Sequence, residues 1–456
     1  FYIQFWKFMD ALILSRIQFG LFITFHYLFV PLSMGLSMML VIMEGLYLVT
    51  KKQIYKQMTW FWVGIFALTF VLGVVTGIMQ IFSFGSNWAN FSEYTGNIFG
   101  TLLGSEGVFA FFLESGFLGI LLFGRHKVSK KMHFFSTCMV ALGAHMSAFW
   151  IICANSWMQT PSGYEMVMHK GKLIPALTSF WGVVFSPTTI DRFIHAVLGT
   201  WLSGVFLVIS VSAYYLWKKR HHEFAKQGMK IGTICAVIVL VLQLWSADVT
   251  ARGVAKNQPA KLAAFEGIFK TEEYTPIWAF GYVDMEKERV IGLPIPGALS
   301  FLVHRNIKTP VTGLDQIPRD EWPNVQAVFQ LYHLMIMLWG VMVALTLISW
   351  SAYKGWRWAL KPFFLVILTF SVLLPEICNE CGWCAAEMGR QPWVVQGLLK
   401  TKDAVSPIVQ ANQIVQSLVI FSLVFIALLT LFITVLCKKI KHGPEEENDL
   451  TEFEVK

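Results

Sequence analysis

Apolar residues along this chain come in runs of twenty or more, separated by short polar segments. A helix needs about 20 such residues to cross the ~30 Å of hydrocarbon in a bilayer. Nine stretches qualify: 17–49, 58–82, 98–124, 133–156, 191–217, 229–247, 326–350, 362–386 and 412–437. The pattern predicts an all-α fold, a polytopic membrane protein with nine transmembrane helices. Composition agrees, because 55% of residues are hydrophobic and 14% charged, whereas soluble domains carry about 25% charged residues. The 18 Trp and 39 Phe suit aromatic belts and interior rings, and also packing against flat cofactors.

The net charge of +8 could suggest nucleic acid, but its distribution sets orientation in a membrane instead. Lys51, Lys52 and Lys56 fall on one side, with Arg125, Lys127, Lys130 and Lys131, and with Lys218, Lys219 and Arg220. Lys354, Arg357 and Lys361, then Lys438, Lys439 and Lys441, join them, whereas "SFGSNWANFSEYTGN" opposite has no Lys or Arg. The N-terminus is therefore expected outside and the C-terminus in the cytoplasm. One long connection, about Asp248 to Trp322, lies outside. The chain divides into a six-helix region (1–247), an outer loop (248–325), a three-helix region (326–441) and an acidic tail (442–456). Seven cysteines within apolar segments do not form a disulfide framework. No cleavable signal peptide is expected, and the start at Phe1 points to a few missing residues.

Ionisable side chains inside spans are costly and mark function. His26 lies in the outer half of the first span, His195 at the outer start of the fifth, Met335 in the outer half of the seventh, and Glu387 at the outer end of the eighth. These residue types ligate haem and other transition metals. A single His or Met on a membrane helix is usually a packing contact; four at one level, on four helices, point to ligation. Glu106 and Glu114, eight residues apart on the third span, are expected about 80° apart around a regular helix and ~12 Å along it. Two such acids suit a proton relay, the bland alternative being hydrogen-bonded structural acids. Glu376, Glu380, Trp383, Glu387 and Arg390 form one stripe of the eighth span. Cys378, Cys381 and Cys384 repeat every three residues but lie along an apolar helix, so they read as packing rather than an iron–sulfur site. His145 reads as a hydrogen-bonded core histidine.

With these residues together, the sequence resembles subunit I of the cytochrome bd quinol oxidases over essentially its whole length. "GRQPW", Gly389 to Trp393, is the most specific segment. "SRIQFGLFITFHYLFVPL", "EGVFAFFLES" and "NSWMQTP" add to it. The resemblance implies that His26 ligates haem d, or a haem b in its place, where O2 is reduced. His195 and Met335 would clamp a low-spin haem b, and Glu387 would ligate a high-spin haem b. Trp383 would lie between haem edges, Arg390 would pair with a propionate, and Gln391 would add a hydrogen bond. Glu106 and Glu114 would deliver protons, while Lys261 and Glu266 in "KLAAFEGIF" would serve quinol oxidation in a short-type outer loop. Without the resemblance, that segment reads as a solvated amphipathic stretch.

The family commonly has Arg two residues before the Met ligand, where this chain has His333. Residues two apart point to opposite sides of a helix, so His333 is not expected on the iron of Met335. The implied partners are a second large subunit (subunit II), an optional small single-helix subunit, membrane quinol and O2, with no nucleic acid. The implied setting is a prokaryotic cytoplasmic membrane, where proton motive force would arise without pumping. The competing readings are a haem-free transporter of protons or metal ions and a haem-bearing electron-transfer subunit without oxygen chemistry.

Overall fold

The computed structural model describes residues 10–445; residues 1–9 and 446–456, including most of the acidic tail, lie outside that description. Among the described residues, nine helical segments are long and apolar enough to cross a membrane. The first, Ala11–Thr50, is two helices, α1 (Ala11–Tyr27) and α2 (Val30–Thr50). Pro31 causes the break, because it has no N–H to donate and its ring clashes with the carbonyl four residues earlier, that of Tyr27. His26 is thereby left in the last turn of α1.

Next come α3 (Gln53–Ser86) and α4 (Ala89–Glu106), which passes through a π turn at Gly107–Phe111 into α5 (Phe112–Phe123). α6 (Lys130–Gln159) starts at Ser129, whose side chain accepts from Met132 N. The connection after α6 is longer than its polar content suggests. It holds a hairpin, β1 (Tyr164–His169) with β2 (Lys172–Leu177), and a short α7 (Phe180–Val184). Asp248–Trp322 is thus not alone in being a structured connection.

α8 (Thr189–Trp217) is the axis of the bundle, with 78% of its most apolar window buried. α2 crosses it so closely that a Cβ on Gly35 would lie 2.5 Å from the Gly204 nitrogen. Any side chain at either position would push the helices apart. α9 (His222–Asn257) runs ten residues past the end expected at 247, because Asp248, Arg252 and Lys256 continue the helix after the apolar window has closed. The long connection after α9 then forms α10 (Pro259–Glu266), the hairpin β3 (Ile277–Asp284) and β4 (Arg289–Ile295), and α11 (Ala298–His304). It has its own core, including Leu262, Phe265, Val283, Val290 and Leu314.

The last spans are α12 (Val325–Tyr353), α13 (Pro362–Thr369) with α14 (Leu373–Met388), and α15 (Ala411–His442), with a small hairpin, β5 (Trp393–Val395) and β6 (Leu399–Lys400), before α15. α9, α13 and α14 pack on α8, and α12 packs on α9 and α14. α15 has only 11% of its apolar window buried, so it faces outward along most of its length.

Candidate functional site

At 1.5 Å per residue, Met335, His195 and Glu387 sit about 27, 33 and 37 Å from the Lys/Arg-rich ends of their spans, and Glu114 only about 14 Å. The ligand-type side chains share a level near the opposite face. His26 joins them through α3, where its Nδ1 lies 2.9 Å from Thr76 Oγ1. The Thr76 hydroxyl donates to Leu72 O at 2.7 Å, so it accepts from the ring. Nδ1 is then the protonated nitrogen and Nε2 carries the lone pair, as an iron ligand must.

His195 is held from α9, with Gln243 Nε2 at 3.3 Å and Ser246 Oγ at 3.3 Å from Nδ1. Its helix and that of Met335 share two neighbours, α9 and α14. The Met335 sulfur lies over Gly382, 2.7 Å from where a Cβ would be. His333 is engaged elsewhere: Nδ1 donates to Phe329 O at 2.9 Å and its ring stacks on Phe329 at 3.9 Å. Trp383, one turn before Glu387, packs 5.6 Å from Tyr27, the neighbour of His26. The indole thus bridges α14 and the end of α1 that carries His26.

Glu387 is the centre of a buried network. Asn155 Nδ2 donates to its Oε1 at 3.0 Å and Gln159 Nε2 at 3.3 Å, while Arg390 pairs with Oε2. Arg192 Nη2 is 4.0 Å from Oε1. Arg390 also donates to Val394 O at 2.5 Å, and its buried Nε has no partner among the described residues. Gln391 braces the turn, accepting from Thr401 Oγ1 at 2.7 Å. The network extends to Lys261, whose Nζ donates to Gln258 Oε1 at 2.8 Å and to Gln159 Oε1. Two guanidiniums, Arg192 and Arg390, and the Lys261 amine therefore surround one partly buried carboxylate. Buried charge of one sign is expensive unless matched, so the site calls for a further anionic group. Haem propionates fit, and the partnerless Arg390 Nε would donate to one.

Glu266 ends α10 with its carboxylate buried, and its Oε2 has no hydrogen-bond partner among the described residues. Burial pushes this carboxyl up to about 7, and the Tyr332 phenol beside it pulls partly the other way. The Tyr332 ring stacks on Phe265 at 4.5 Å. Lys261 is held well below the usual lysine range, first by burial and then by Arg192, with Glu387 opposing. An orphaned carboxylate oxygen suits a hydroquinone that must lose protons; Lys261, five residues earlier on α10, faces Gln159 and Gln258.

The spacing of Glu106 and Glu114 differs from a regular helix. The π turn at Gly107–Phe111 accommodates one extra residue. Eight residues then advance like seven, about 20° from one full face rather than 80°. Both acids turn toward α6: Ser147 Oγ donates to Glu106 Oε1 at 2.7 Å, and a Cβ on Gly143, one turn away, would lie 2.8 Å from Glu114 Cβ. Glu114 is buried and Glu106 half-buried. His145 has both ring nitrogens engaged, Nδ1 with Ala141 O at 2.7 Å and Nε2 with Trp201 Nε1 at 2.8 Å.

Sequence reading missed Arg192, Gln258 and Tyr332 as parts of this site. Arg192 carried little signal, because Asp191 stands next to it and the two read as an ordinary charged span end. Among the described residues, no three His, Cys, Asp or Glu gather as a site for a bare ion. Haem needs none, because the macrocycle supplies four nitrogens and the protein only axial ligands.

These features define a polytopic membrane protein with ligand-type side chains from separate helices gathered near one face. The chain belongs to the family of cytochrome bd terminal oxidase subunit I, whose profile matches residues 14–444. It is 34% identical over 451 residues to cytochrome bd ubiquinol oxidase subunit 1 of Bacillus subtilis, covering 96% of each chain. It is 32% identical to cytochrome bd-II ubiquinol oxidase subunit 1 of Escherichia coli, covering 93% of this chain and 94% of that one. The solved bd oxidase of Geobacillus thermodenitrificans matches with a TM-score of 0.87 at 30% identity, over 95% of this chain and 99% of that one. The transporter reading gives way to this membership.

Proposed function

We propose that this chain is the haem-bearing subunit of a bd-type terminal oxidase in a prokaryotic cytoplasmic membrane, oxidising membrane quinol and reducing O2 to water. His26 would hold haem d or a haem b in its place, His195 and Met335 the low-spin haem b, and Glu387 the high-spin haem b. When bound, these groups supply electron transfer and the reduction of oxygen.

The protein's own part is proton handling and placement. Glu266 Oε2 accepts a proton from a quinol hydroxyl while Lys261 donates a hydrogen bond to the ring oxygen. Arg192 and Arg390 neutralise propionates near Glu387. Glu114 and Glu106 hold protons on one face of their helix and pass them outward. The Lys/Arg-rich ends face the cytoplasm in this reading. A second large subunit, and a small single-helix subunit where present, would cover exposed apolar helix such as α15.

The observation that carries the proposal is the set of basic groups, Arg192, Arg390 and Lys261, around Glu387, next to the GRQPW motif. The test is a reduced-minus-oxidised spectrum of the purified complex, with oxygen uptake driven by a soluble quinol. Low-spin and high-spin haem bands with quinol-dependent uptake are expected. A colourless complex would end the reading, and haem bands without oxygen uptake would favour a pure electron-transfer subunit.

A further inference from the structure

Glu44 on α2 is buried and does not belong to the site above. Its carboxylate accepts from Thr137 Oγ1 at 2.5 Å and from His133 Nδ1 at 2.6 Å, both on α6. The other ring nitrogen, His133 Nε2, donates to Leu121 O near the end of α5 at 3.2 Å. A backbone carbonyl only accepts, so Nε2 keeps its proton, and Nδ1 and Glu44 Oε1 have one further proton to share. Trp60 packs edge-on to the imidazole at 4.8 Å.

The pair borders a cavity of about 50 Å³ also lined by Tyr47, Lys56, Arg125, His126 and Lys130, with room for a few water molecules. Arg125 is paired with Glu445 at 2.9 Å, and among the residues that line the cavity Glu44 is the carboxylate. Leu121 and Glu114 are seven residues apart on α5, two turns along one face and roughly 10 Å. His133 therefore stands between the water-accessible cavity and Glu114. A tie between helices could be made from apolar side chains without burying a charge. A shared proton beside water has a use that such a tie lacks.

We propose that the Glu44–His133 pair is the inlet through which protons for oxygen reduction reach Glu114. This rests on the oxidase reading and on the Lys/Arg-rich ends facing the cytoplasm. Water in the cavity protonates Glu44, which passes the proton to His133 Nδ1. The imidazolium releases its Nε2 proton past Leu121 O, through intervening water, to Glu114. One proton arrives as one leaves, and a ring flip restores the starting tautomer.

The experiment uses the complete oxidase complex in vesicles, with a pH dye reporting uptake on the Lys/Arg-rich side during oxygen reduction. Glu44→Gln and His133→Gln should keep native haem spectra and native haem reduction by quinol, while proton uptake slows about tenfold or more. Glu44→Asp should recover most of the rate, and added imidazole should restore uptake in His133→Ala, which a structural role would not predict. Native uptake rates in both Gln variants would overturn the inference and leave the oxidase reading standing. Loss of the haem spectrum in every variant would mark the pair as a structural tie and overturn it as well. Uptake by the unaltered complex from the other side would remove the orientation and the inference together.

Discussion

Burial of Glu266 has a consequence for pH. Its folded carboxyl is pushed up to about 7 by burial, above the ordinary carboxyl range. A raised acid stabilises the fold fully below its unfolded value, and that contribution is lost as pH rises through the folded value. Activity runs the other way, since only the deprotonated carboxylate accepts the quinol proton. Quinol oxidation should therefore climb between about pH 6 and 8. Glu266→Gln should remove this limb, lower turnover on the order of 10²-fold, and gain relative stability at the alkaline end. Rate profiles and thermal unfolding across pH check both; a limb that persists in the Gln variant would free Glu266 of the role.

The proposed iron ligands make predictions at the same scale. Met335→Leu keeps volume but loses the sulfur, so the low-spin haem should become high-spin in optical and magnetic spectra. Glu387→Ala should lose the high-spin b signal and leave Arg192, Arg390 and Lys261 without their carboxylate. His26, His195, Met335 and Glu387 were legible in the sequence because an ionisable or sulfur side chain in an apolar run is conspicuous. Arg192, Gln258 and Tyr332 were not, because each lies where spans meet polar connections and such residues are ordinary.

Among elements, the π turn at Gly107–Phe111 sets the phase between Glu106 and Glu114. Nothing in "GVFAF" announces it, since a wholly apolar segment has no periodicity to shift. Nor could composition show that α9 continues to Asn257, because hydropathy marks the membrane's edge rather than the helix's end. The break after His26 was readable, through Pro31. The turn can be tested by counting residues. Deleting Phe109 should remove the extra residue, leave both acids on one face, and preserve turnover. Inserting Ala between Phe112 and Leu113 should rotate the acids apart by about 100° and stop turnover with haem spectra intact. Loss of turnover in the deletion and retention in the insertion would show that the phase is irrelevant.

At the scale of the whole molecule, the two regions proposed to handle protons lie at opposite ends of the bundle. Glu266 and Lys261 belong to the outer region built on α10, whereas Glu114 sits about 14 Å from the Lys/Arg-rich end of its helix. Quinol chemistry releases a proton for every electron it yields, and making water from O2 consumes one for every electron received. If release is confined to the outer region and uptake to the Glu114 side, each electron transferred is accompanied by one charge across the membrane. No alternating access is needed for that, and the rigid crossing of α2 and α8 at Gly35 and Gly204 is poorly suited to it. In sealed vesicles with the complex oriented one way, acidification outside should equal about one proton per electron, as the balance of a general-base oxidation requires. A clearly larger ratio would mean that protons are pumped as well, and the separation of the two sites would no longer account for the charge moved.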